Sequence, residues 1–185
     1  MAIARAFFCA IVFIYLHIET MKTMKTFTYD ISKYKKGVYK FSEDMKYGHT
    51  GELEMAKLME SLGFTFIHQT QGKDSRYDLM MGYGAKTYTY EIKTDVYPRD
   101  TGNLVIEFEC RGLPSGIEVT EADYFTTFFP FFGEVWNIKT SDLKDLISKN
   151  NLPISEYAGD EGSNTKLYKI SKNKYRNYFK VHKIG

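Results

Sequence analysis

Residues 87–94 alternate polar and apolar in a period of two, so a strand built from them puts Thr89, Glu91 and Lys93 on one face and Tyr88, Tyr90 and Ile92 on the other. Just before it, Tyr77-Asp78-Leu79-Met80-Met81 predicts a second short strand, and the glycine-rich stretch 82–86 predicts the turn that makes the two a hairpin. Upstream the period changes. Residues 52–62 are rich in good helix formers and end at Gly63, a residue suited to the left-handed conformation in which helices stop. Met55, Ala56, Met59 and Leu62 form the apolar stripe of this helix, and Glu52 lies on the same stripe one turn earlier. Glu54, Lys57 and Glu60 fall on the side expected to face water.

The rest of the pattern predicts more strands and one more helix. Residues 64–68 read as a strand leading into a polar loop over 69–76. Residues 104–110 read as a strand with Leu104, Ile106, Phe108 and Cys110 on its apolar face and Glu107 and Glu109 on the other. The run 120–123 reads as a capping box opening one helical turn, 124–129 and 133–138 as strands around Pro130, and 141–150 as a helix capped by Thr140 or Ser141. The stretch 157–165 is a polar loop. This mixture predicts an α/β fold with a mixed central sheet flanked by helices.

With 185 residues, 43% of them hydrophobic and 16% aromatic, the chain can bury one good core, which excludes a disordered protein and predicts a single domain over 21–185. Residues 1–20 stand apart as a hydrophobic extension. The run 7–16 is almost wholly apolar after Arg5, as in a secretory signal, yet it is short for a membrane span and no small-x-small cleavage pattern follows it. Met21 and Met24 are alternative starts, so the expectation is an over-extended start, with a signal peptide or anchor as the alternative reading and no membrane partner for the domain. Cys9 and Cys110 are too few for a disulfide framework or zinc site, and a reducing cytoplasmic setting (a host's cytoplasm, if the protein is viral) fits them.

Net charge is only +2, but seven of the 25 lysines and arginines lie in 166–183 with no acidic residue among them, leaving 18 basic against 23 acidic residues elsewhere. Lys172, Lys174 and Arg176 are interleaved with Tyr168, Tyr175, Tyr178 and Phe179. That composition suits a surface that tracks phosphates and stacks on bases. The alternative is a final strand at 167–170 and a helix over 172–180 that turns its aromatics inward and leaves its lysines wet.

The candidate chemistry lies on the hairpin. Hydrolysing a phosphodiester requires neutralised phosphate oxygens, a water made nucleophilic and a stabilised leaving oxygen, and a hard divalent cation held by carboxylates supplies all three. Mg²⁺ takes one or two carboxylates and keeps several waters, and Mn²⁺ accepts the same ligands. Asp78 and Glu91 would be those ligands, with the Ile92 backbone carbonyl as a third. Lys93 would stand beside the attacking water or the phosphate. Glu52, on the inward face of its helix, would add a carboxylate directly or through water. Lys73 and Arg76, just ahead of Asp78, would hold a phosphate or simply solvate the loop, and Glu107 would reach the site as an accessory acid if its strand lay beside the hairpin.

Glu52, Gly63-Phe64, Asp78 and Glu91-Ile92-Lys93, in that order, resemble the PD-(D/E)xK nuclease superfamily, with spacing closest to archaeal-type Holliday junction resolvases. Ser75 coincides with a serine those resolvases carry near their site, and Gly102-Asn103 through Tyr124 is similar to small endonuclease-like proteins of bacterial viruses. Tyr77 stands where the pattern's proline would be. The resemblance covers roughly 48–140 and implies a restriction-endonuclease-like sheet, a Mg²⁺-dependent DNA endonuclease with Glu52, Asp78, Glu91 and Lys93 as its catalytic set, DNA as partner and a homodimer if the substrate is a junction. The competing expectation is a non-catalytic DNA-binding module that works through the basic C-terminal segment.

Overall fold

The computed structural model describes residues 27–34, 41–70, 76–158 and 164–184; the expectations for residues 1–20 lie outside them. Its frame is a six-stranded mixed sheet made of β1 (Thr65–Gln69), β2 (Leu79–Tyr83), β3 (Lys86–Thr94), β6 (Tyr124–Phe129), β7 (Glu134–Lys139) and β10 (Lys180–Lys183), in that spatial order. Every neighbouring pair is antiparallel except β3 and β6. The parallel pair forces a crossover. The chain makes it through a second, four-stranded antiparallel sheet, in which β5 (Leu113–Pro114), β4 (Asn103–Cys110), β9 (Thr165–Ser171) and β8 (Ile154–Ala158) lie in that order.

The hairpin forms where the alternation predicted it. Leu79 pairs with Tyr90 and Tyr83 with Lys86, around a Gly84-Ala85 turn in which Gly84 takes φ +59°, a conformation that suits glycine. The helix before it, α1 (Phe41–Ser61), begins well ahead of the expected start and stops where Gly63 required. Gly63 has φ +88°, its N–H donates to the Glu60 carbonyl at 3.0 Å, and the Phe64 N–H reaches back to the Met59 carbonyl at 3.0 Å. That pair of bonds is the Schellman arrangement, in which Phe64 also packs back on the helix end.

Two cores sit on opposite faces of the large sheet. Between the sheet and α1 lie Met55, Ala56, Leu58, Leu79, Met81, Tyr90, Ile92 and Phe128. On the other face, Phe125, Phe129, Trp136 and Ile138 meet Leu104, Ile106 and Ile170 of the second sheet, together with Leu143 and Leu146 of α2 (Thr140–Lys149). The expected α/β class is what forms, although the second face is covered largely by a sheet rather than by helices.

Some local expectations are corrected. Glu54 is buried, not solvated, because residues 27–34 lie over α1: Tyr34 is wholly buried there, and Lys33 Nζ reaches Glu54 Oε1 at 3.1 Å, with Lys57 Nζ at 3.5 Å. No helical turn forms over 120–123. Thr120 instead donates to the Arg76 carbonyl at 3.2 Å, and Asp123 accepts from the Thr89 N–H at 2.9 Å. Thr140 is the first residue of α2 rather than its cap, which is Lys139. Strand β4 lies in the second sheet, not beside the hairpin. The tail forms a short α3 (Lys172–Tyr175), a 3₁₀ turn over Arg176–Tyr178 and then β10, where a longer helix was expected. Among the described residues no helix is long and apolar enough to cross a membrane.

Candidate active site

Asp78 ends the loop that enters β2, and the hairpin register holds it against β3. Its N–H donates to the Tyr90 carbonyl at 2.9 Å, and its Oδ2 accepts the Ile92 N–H at 2.6 Å. The carboxylate is therefore pinned to the backbone between Glu91 and Lys93, with Oδ1 turned to no described partner. Glu91 faces the second-sheet side beside Phe125, its register neighbour on β6, and its side chain is only 8% exposed. Lys93, two residues on, lies on that same face and closes on Glu91 with Nζ 2.6 Å from Oε1. The expected grouping of Asp78, Glu91 and Lys93 thus forms, although the alternation places them on a sheet covered on both sides rather than on a solvated hairpin.

Burial and crowding set the electrostatics. Asp78 is pushed up to about 7, first by desolvation and then by the Glu91 charge, against the pull of Lys93 and the Ile92 N–H; Glu52 adds a smaller upward push. For Lys93, whose side chain is still 42% exposed, partial desolvation alone would lower the ammonium's pKa, but Glu91, Asp78 and, more weakly, Glu107 together raise it, so the amine holds its proton. Glu107 therefore reaches the field of the site from the second sheet, without the strand neighbourhood its role was expected to need. At neutral pH the cluster carries more carboxylate than its single ammonium balances. A hard cation would settle that excess. Two carboxylates plus waters meet what Mg²⁺ asks for, even though no group of three or more His, Cys, Asp or Glu side chains converges as a metal site among the described residues. Ile92, whose carbonyl was the expected third ligand, sits within the stretch of β3 paired to β6, opposite Thr126.

Glu52 approaches from α1. The helix comes so close to β3 at Gly51 that a Cβ there would lie 1.8 Å from Thr94 Oγ1, so glycine is what lets this turn of helix lie against the strand. Glu52 Oε2 accepts from Gln69 Nε2 at 2.7 Å, and the same amide lies 3.1 Å from His49 Nδ1. The sequence pattern missed Gln69 and His49. His49 stands one turn before Glu52 on α1 and Gln69 ends β1, positions whose meaning depends on the helix lying over the strand.

The remaining candidates scatter. Lys73 and Ser75 lie outside the described residues. Arg76 is exposed, and its carbonyl accepts from the Glu121 N–H at 2.8 Å. Lys172 is buried, with Nζ 2.9 Å from Asp100 Oδ1 and 3.8 Å from the centre of the Phe129 ring, so its ammonium is committed inside the fold rather than offered to a phosphate. Lys174 and Arg176 are exposed beside aromatic rings, Lys174 over Tyr175 and Arg176 over Trp136. Comparisons with protein families, with curated proteins and with solved structures returned no match.

Proposed function

We propose that the protein is a Mg²⁺-dependent endodeoxyribonuclease of the PD-(D/E)xK kind, with Mn²⁺ as an alternative ion and a four-way junction as the leading substrate. The observation that carries this reading is the pinning of Asp78 Oδ2 to the Ile92 N–H at 2.6 Å, which brings two carboxylates and an ammonium together on paired strands. A solvated hairpin face has no need to bury Glu91 against a lysine or to crowd Asp78 until its pKa rises. The bound cation would supply charge neutralisation at the phosphate and a water more easily deprotonated.

Each residue then has a task. Asp78 and Glu91 would hold the cation, and the Ile92 N–H holds the Asp78 carboxylate in place. Lys93 keeps its proton, so it acts as an electrostatic partner of the phosphate and of the attacking water, not as a base. Glu52, oriented by Gln69, adds negative field beside Asp78 and would offer a further carboxylate to the cation. The test is cleavage of labelled duplex, single strand and four-way junction by protein started at Met21, with Mg²⁺ or Mn²⁺ against EDTA. Metal-dependent cutting is expected, and paired symmetric cuts in the junction would identify a resolvase working as a dimer. Binding to all three substrates without cutting would favour the non-catalytic module instead.

A further inference from the structure

A second site opens at the end of the sheet where β6 begins and β7 ends. A cleft of about 510 Å³ lies there, within the range that takes a small ligand. Tyr88 of β3 and Tyr124 of β6 form one side, their rings 6.1 Å apart and steeply inclined, with Tyr124 backed by Tyr90 at 5.4 Å. The other side is the first turn of α2. Its N-cap, Lys139, contributes no side-chain cap; the Thr140 N–H donates to the Asp123 carbonyl at 3.0 Å and Asp142 lies in the same turn, so the positive end of the helix is partly countered. Thr140, in the cleft wall, is 6% exposed, and its buried hydroxyl has no hydrogen-bond partner.

The charges around the cleft select the ligand. Lys139 and Lys144 line it, are exposed, and form no ion pair with a described residue. The carboxylate of Asp123 is occupied by the Thr89 N–H at 2.9 Å and the Thr89 hydroxyl at 3.1 Å. Glu121, exposed on the rim, remains an open acceptor. Aromatic faces, two lysines at a helix start and one carboxylate acceptor together match an amino-bearing base joined to a phosphate.

We propose that this cleft is a nucleotide subsite, which holds one unstacked nucleotide of a nucleic-acid strand with its base against Tyr88 and Tyr124 and its phosphate on Lys139, Lys144 and the start of α2. The proposal rests on the nuclease reading for its link to the Asp78 site, and one feature makes that link. Arg76, two residues before Asp78, accepts through its carbonyl from Glu121 and Thr120 of the cleft at 2.8 and 3.2 Å.

The test is binding of a fluorescein-labelled single-stranded oligonucleotide and of a labelled mononucleotide, in EDTA so that nothing turns over, to wild type, to Lys139→Ala/Lys144→Ala and to Lys149→Ala. Both lysines are exposed, so a thermal melt should show the double variant folded. Its oligonucleotide affinity should fall about tenfold, and its salt slope should fall by about 0.7 through the loss of one phosphate contact on a single strand. Lys149→Ala, at an exposed lysine on the far end of α2 and outside the cleft, should keep wild-type affinity. Photocrosslinking with a 5-iododeoxycytidine oligonucleotide, whose base carries the amino group, should map to Tyr88 or Tyr124. Lysine-dependent binding of the mononucleotide but not of the strand would assign the cleft to a free nucleotide and overturn its role in holding a strand. Unchanged affinity and salt slope in the double variant, with crosslinks elsewhere, would overturn the subsite and leave metal-dependent cutting at Asp78 untouched.

Discussion

Asp78→Asn should make the protein more stable and abolish its chemistry, and the gain should depend on pH. The folded Asp78 carboxyl titrates near 7, against an ordinary value of 3.8, so folding favours its protonated form. Below about pH 4 both the folded and unfolded chains carry the proton and the group costs nothing. As pH rises from 4 to 7 the unfolded chain ionises while the folded one resists, and stability falls through that window, reaching its full penalty above 7. Three units at 1.36 kcal/mol each set a ceiling of about 4 kcal/mol. The side chain keeps some contact with water and its charged form accepts the Ile92 N–H, so about 1–2 kcal/mol is the expected gain for the neutral isostere at pH 8. In a chain of this length that corresponds to roughly 2–8 °C in Tm. Thermal melts of wild type and Asp78→Asn from pH 3.5 to 8.5, without metal, would measure it. The difference should be near zero at pH 3.5 and grow across 4–7. Millimolar Mg²⁺ at pH 8 should raise the wild-type Tm and leave the variant unmoved. A variant that is less stable at pH 8, or a difference that ignores pH, would refute the reasoning.

Lys93→Ala should retain Mn²⁺ binding, measured by electron paramagnetic resonance, because the carboxylates remain, whereas Asp78→Asn should lose most of it. Gly51→Ala should cost about 1–2 kcal/mol, since overpacking against Thr94 outweighs the roughly 1 kcal/mol that alanine gains in a helix; chemical denaturation should show a smaller cost in a Thr94→Ala background. Lys172→Ala should destabilise the fold by about 2–3 kcal/mol, through loss of its contacts with Asp100 and Phe129, and leave the salt slope of DNA binding unchanged. Lys174→Ala, at an exposed position, should leave Tm within about 1 °C, as surface substitutions commonly do.

The site was legible where local rules decide. A period of two put Glu91 and Lys93 on one face regardless of what covers it, and Gly63 marked the end of α1 because few other residues take its conformation cheaply. What escaped depended on contacts distant in sequence. Glu54 looks solvated on its own helix and becomes buried only because residues 27–34 cross over it. Thr120 and Asp123 have the letters of a capping box but bond Arg76 and Thr89 instead. Alternation along β4 showed which residues face inward, yet nothing in it names the sheet, so the approach of Glu107 to Lys93 came from a direction the strand pattern could not give. Lys172 reads as one of a basic series until Phe129 and Asp100 are seen around it.

Strand cleavage by wild type, Asp78→Asn and Lys93→Ala, purified identically and assayed on the same labelled four-way junction with Mg²⁺ at pH 8, tests the central claim most directly. A co-purifying nuclease would ignore both substitutions. Metal-dependent cutting by wild type, absent in Asp78→Asn and reduced by at least about a hundredfold in Lys93→Ala, is the predicted result. Equal cutting by all three proteins, or none by wild type on junction, duplex or single strand, would contradict it.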